Sequence, residues 1–261
     1  MQSQSEVRNS FRFLLFASAL TVALWFLPLG DYLTYPIHLF VTLVHEIGHA
    51  LGTLLTLGKV NRIALDWNGG GVTETVGGAR LLISSAGYLS ATLYGAGLLL
   101  LLRRARNARA VALGTAVMLL AATILFGGNI VAWSVGLTLG AGFLILGLKG
   151  SERLTHFLMS FLGVQSILNA FSDLRTLIYL AASEPGRLTD AQNMAKATDG
   201  FVPAIVWAIG WSLLSLLILS VTLMLYYRSL RPRESASTIQ MPGLIVEPPS
   251  TGAHRGSAGR S

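Results

Sequence analysis

The chain has 261 residues, of which 52% are apolar and 12% charged, with a mean hydropathy of +0.61. A soluble domain carries about 25% charged residues, and one core of this size cannot hide so much apolar surface, so the composition excludes an ordinary soluble enzyme and points to a polytopic membrane protein. There are no cysteines, which excludes disulfides, cysteine-ligated zinc and thiol nucleophiles, and the net charge of +7 sits between apolar runs, as in loops facing anionic lipid and not as in a nucleic-acid binder.

Residues 1–10 are polar. Apolar runs then follow at 11–29, 36–57, 80–102, 109–126, 129–148, 158–182 and 201–227, each near the ~20 residues that cross a bilayer as a helix. The first run lacks a small-x-small cleavage site at its exit, Leu27-Pro28-Leu29-Gly30-Asp31, and reads as an uncleaved span. The fourth and fifth runs meet at Gly127-Gly128-Asn129, which predicts a tight helical hairpin. Residues 231–261, rich in Pro, Ser, Gly and Arg, read as a disordered tail. The expected organisation is thus a polar N-terminus, a membrane domain over 11–230 and a tail. Arg103, Arg104, Arg106 and Arg109, then Lys149 and Arg153, then Arg228, Arg231 and Arg233 recur at every second turn between spans, which places those turns and the C-terminus in the cytoplasm.

The segment between the second and third runs differs in kind. Ile63, Leu65 and Trp67 alternate with Ala64 and Asp66, Val72 to Val76 mix apolar and polar residues, and Gly69-Gly70-Gly71 lies between. This predicts a β-hairpin within 60–78, with strands at 61–67 and 72–76. The expected fold is therefore an all-α polytopic membrane protein of about six to seven transmembrane helices with one small β-hairpin.

The chemistry lies in the second run, where His45-Glu46-Ile47-Gly48-His49 matches H-E-x-x-H. On a helix, residues four apart share a face, so His45 and His49 can hold one metal ion while Glu46 reaches its water as general base. Such residues inside an apolar span are costly unless functional. A catalytic zinc takes three protein ligands and a water, and without cysteine the third must be His, Asp or Glu. His254 lies in the tail and His156 at a span edge. His38 is two turns, roughly 10 Å, before His45, and reads as an interfacial residue or a support for the ligands. Among carboxylates, Asp173 lies inside the sixth run and is the expected ligand; the alternative is Asp190, which lies in a polar stretch and reads as a cap for a short helix. Gly87, Ala91 and Gly95 recur every four residues, as in close helix packing.

Four pieces together resemble the site-2 protease clan of intramembrane zinc metalloproteases, the M50 peptidases, in their short M50B-like branch. They are HEIGHAL at 45–51, GGGVT at 69–73, SAGYLSATLYGA at 85–96 and Thr189-Asp190-Ala191 before a Trp-containing last span. The stretch N-P-x-P-x-x-x-L-D-G that carries the aspartate in many members is missing; Asn169 stands four residues before Asp173 without the proline or glycine. The resemblance implies Zn2+ on His45, His49 and an aspartate of a later span, with Glu46 as the base. It further implies a hairpin that pairs with an unwound substrate, so that Gly71, Val72, Thr73 and Asn169 would contact that substrate. The implied function is an endopeptidase of the bacterial cell membrane, with transmembrane protein or peptide segments as substrates, lipid around it and no nucleic-acid partner. A non-proteolytic transporter or metal-binding scaffold is the rival reading.

Overall fold

The computed structural model describes residues 30–183 and 189–230, with isolated positions between 12 and 27. Most of the first predicted span, residues 1–10 and the predicted tail lie outside the described residues. The described elements are α1 (Gly30–Leu55), β1 (Lys59–Leu65), β2 (Gly71–Val76), α2 (Arg80–Leu101), a 3-10 turn (Ala105–Asn107), α3 (Ala108–Phe126), α4 (Ile130–Lys149), α5 (Glu152–Ser183), α6 (Asp190–Ala197) and α7 (Ala204–Leu230). Six helices are long and apolar enough to cross a membrane, namely all but α6. They match the second to seventh predicted spans. The boundaries shift most at α1, which starts six residues before Pro36, and at α5, which starts at Glu152.

The bundle is apolar on both sides of its helices, as a membrane domain must be. Leu125, Leu148 and Leu213 face outward. Inside, α1 contributes Leu39, Phe40, Leu43 and Val44 to the main core. Phe40 meets Tyr94 of α2 and Phe143 of α4 at ring-centroid distances of 5.4 and 5.7 Å. Helix α1 also packs closely along α2, because Gly48 leaves room for Ser90 and the Ala86 carbonyl. At the basic end, His156 of α5 hydrogen-bonds the Leu102 carbonyl at 2.8 Å, and Arg109 donates to the Gly150 carbonyl at 2.8 Å. These contacts tie the α2–α3 turn to the α4–α5 turn.

The predicted hairpin is present. Strands β1 and β2 pair antiparallel from Lys59↔Val76 to Leu65↔Gly71, with an irregularity between Val60 and Arg62. The turn closes with Asp66 N–H donating to the Gly70 carbonyl at 2.8 Å, and Gly69 takes φ +91°, which favours glycine. Both strands begin earlier than predicted. Two neighbours hold the sheet. Gly128 N–H donates to the Ile63 carbonyl at 2.8 Å, and the Asn129 side chain bonds both backbone groups of Leu65 at 2.8 and 3.3 Å while capping α4 through Ala132 N–H at 2.9 Å. On the other side the hairpin lies along α1: Tyr35 donates to the Trp67 carbonyl, Thr42 to the Gly69 carbonyl at 2.8 Å and Thr73 to the Glu46 carbonyl at 3.0 Å. Glu46 lies inside the candidate span Tyr32–Leu55, so the hairpin lies alongside the middle of that span.

A second core sits at the same end. The buried face of α6 (Ala191, Met194, Ala195) packs on Leu174 and Leu177 of α5 and on Ala208 and Trp211 of α7. Thr189 caps α6, its hydroxyl accepting from Gln192 N–H at 3.2 Å. The cap is thus Thr189, which leaves the carboxylate of Asp190 free to point elsewhere.

Candidate active site

One helical face of α1 carries His38, Thr42, His45, Glu46 and His49, and all five line a cavity of about 1010 Å³. Its other walls are β2, the start of α2, Asp173 and Leu177 of α5, and Thr189, Asp190 and Asn193 at α6. The two histidines expected from the motif converge: their Nε2 atoms are 3.0 Å apart. Asp190 Oδ2 completes the group at 3.2 Å from His45 Nε2 and 3.3 Å from His49 Nε2. Three ligands about 2.05 Å from a tetrahedral ion would stand about 3.3 Å apart, so these residues fit one metal ion.

The surroundings prepare those atoms. His49 Nδ1 donates to the Ile83 carbonyl at 2.8 Å, which fixes the tautomer and leaves its Nε2 lone pair facing the group. Gly87 explains how two imidazoles fit beside α2: a Cβ there would lie 2.5 Å from His49 Nε2 and 2.7 Å from His45 Nε2. This glycine of the four-residue repeat serves the histidines as well as helix packing. Burial by itself would raise the Asp190 carboxyl, but the imidazoles of His49 and His45 beside it outweigh burial and hold it well below the usual carboxylate range.

In the structure Asp190, and not the expected Asp173, stands with the two histidines. Asp173 lines the same cavity but does not join the group, and it makes no hydrogen bond or ion pair with any described residue. It shares that cavity with His38 and His45. The neighbouring Arg175 is not its partner either. The polar stretch around Asp190 reads as a cap, yet the cap is Thr189; the signal in the sequence is the pairing of Thr189 as cap with a carboxylate directly behind it.

Glu46 is buried, and one of its oxygens accepts from the Thr73 hydroxyl at 2.6 Å. Gly71 approaches so closely that a Cβ there would stand 2.7 Å from the other oxygen, Oε1. Gly71, Val72 and Thr73 all line the cavity, and β2 pairs on one side only, with β1. Asn169 is not among the lining residues; its amide donates to the Gln165 carbonyl at 3.0 Å within α5. His38 lies against Gly69, where a Cβ would meet its ring at 2.5 Å, and supports the hairpin tip.

No curated protein sequence and no solved structure matches the chain. The sequence pattern described as Peptidase M50B-like does match it, over residues 16–222, which takes in every element from α1 to the greater part of α7. With H-E-x-x-H, the hairpin and the aspartate all inside that match, the chain belongs to the Peptidase M50B-like family.

Proposed function

We propose that this membrane protein is a zinc endopeptidase that cuts transmembrane segments of other proteins, in the bacterial cell membrane. The observation that carries this reading is the convergence of His45, His49 and Asp190 at 3.0–3.3 Å, with Glu46 beside them, in a cavity at membrane depth. A zinc ion held by these three would lower the pKa of its water and polarise the scissile carbonyl.

The chain's own residues supply the remainder. Glu46 is the group placed to take the water proton and to hand it to the leaving amine. The Thr73 hydroxyl holds one oxygen of that carboxylate, so the other is the one that accepts the proton. The unpaired edge of β2, through Gly71, Val72 and Thr73, offers backbone groups to an extended substrate. Strand addition of this kind binds through main-chain hydrogen bonds and needs the substrate helix to unwind.

The test is Glu46→Gln in the full chain reconstituted in lipid with a transmembrane peptide. The variant is expected to keep zinc and to lose cleavage by at least about 10²-fold. Cleavage at the parental rate, or none by the parent itself, would remove the protease reading and favour a metal-binding scaffold or transporter.

A further inference from the structure

We propose that Tyr88 is a catalytic residue whose phenol hydroxyl donates a hydrogen bond to the oxyanion formed at the scissile carbon; this rests on the protease reading above. Tyr88 lies on α2 next to Gly87 and lines the cavity. Its ring meets the His45 imidazole edge-on, with centroids 4.6 Å apart and planes at 87°. On its far side it stacks on Trp211 of α7 at 5.2 Å and 19°. Trp211 is itself buried and anchored, its indole N–H donating to the Ser85 hydroxyl at 3.1 Å. The phenol is therefore held between a candidate metal ligand and a fixed aromatic wall, with little freedom to turn away.

Its hydroxyl is the unusual part. It makes no hydrogen bond with any described residue, and the carboxylates of Asp190, Asp173 and Glu46 line the same cavity. The hydroxyl is accessible from the cavity that the ring lines, so an oxygen entering that cavity can accept its hydrogen bond. Tyr94, on the same helix, shows what a structural tyrosine does here: its hydroxyl is paired with Thr115 at 2.7 Å. Other hydroxyls around Glu46 are committed, Thr42 to the Gly69 carbonyl and Thr73 to Glu46. The Asn169 amide, the other donor expected at the substrate, is engaged within its own helix.

The step balances without further reagents. The water oxygen bonds to the carbonyl carbon as its proton passes to Glu46, and the carbonyl π pair moves onto oxygen. Tyr88 donates a hydrogen bond to that oxygen and keeps its proton. Collapse restores the carbonyl, the C–N bond breaks, and the amine nitrogen takes the electron pair and the proton from Glu46. A donor that strengthens as charge develops acts on turnover more than on substrate binding.

The experiment uses the full chain in lipid and compares Tyr88→Phe and Tyr94→Phe with the parent. Tyr88→Phe is expected to keep parental zinc content and Tm, to leave KM within about twofold, and to lower kcat by roughly 10²-fold. It should also weaken binding of a phosphinic peptide, which mimics the tetrahedral anion, while leaving binding of an uncleaved peptide unchanged. Tyr94→Phe should leave kcat at the parental value. Fluorotyrosine at position 88 provides a variant with nearly native shape and a stronger donor, and kcat should not fall. An unchanged kcat in Tyr88→Phe, or a loss of zinc that accounts for the fall, overturns the role of Tyr88 alone. A parent that cleaves nothing overturns the protease reading and this inference with it.

Discussion

Each carboxylate near the histidines has a different environment, and this separates their roles. Asp190 touches both imidazoles, Glu46 is held by Thr73, and Asp173 lines the cavity without a partner among the described residues. Asp190→Asn is therefore expected to weaken zinc binding by at least about 100-fold, since a neutral amide replaces an anionic ligand. Asp173→Asn should keep zinc at the parental content. Metal analysis of the two purified variants decides between them, and the opposite pattern would show that the ligand is Asp173 after all. The His45–Glu46–His49 arrangement was legible from the sequence because helical spacing is local. The aspartate that meets them was not, because it lies 145 residues from His45 along the chain.

At the scale of elements, the hairpin depends on groups outside its own two strands. A two-stranded sheet alone is marginal in stability. Asn129 joins β1 to the α3–α4 turn and caps α4 with the same side chain. Asn129→Ala is expected to cost about 2 kcal/mol, combining a lost cap with two lost backbone contacts. A thermal-unfolding series should show this as a lower Tm, and cleavage should fall with it as the β2 edge loosens. If Tm holds, the sheet is secured by α1 alone. The alternation and glycine run made the hairpin legible. Its docking was not, because the partners of Leu65 and Ile63 belong to a turn some sixty residues further on.

For the whole molecule, the six described spans place the Arg103–Arg109 turn, the Lys149–Arg153 turn and Arg228 at one end. The base of the hairpin, the Gly127–Asn129 turn and α6 lie at the other. The basic end is expected in the cytoplasm, which puts the β2–α2 connection on the opposite face. Because the chain has no cysteine, single cysteines introduced at Ala79 and at Arg104 can be labelled without background. A membrane-impermeant thiol reagent added outside intact cells should modify position 79 and spare position 104. The reverse pattern would invert the orientation.

Composition, span length and the helical His-Glu-His spacing were enough without coordinates to read a polytopic membrane protein with two histidines on one helical face at the spacing of metal ligands. Those properties depend on solvent transfer and on geometry within a turn or two of chain, so local residues suffice. The choice between Asp173 and Asp190 is of another kind. Both aspartates reach the cavity, and hydropathy favours Asp173 because it sits in an apolar run. Which one meets the histidines depends on where α6 docks. That is decided by Ala191, Met194 and Ala195 packing against Leu174, Leu177 and Trp211, a fit among three separate helices that no local pattern encodes.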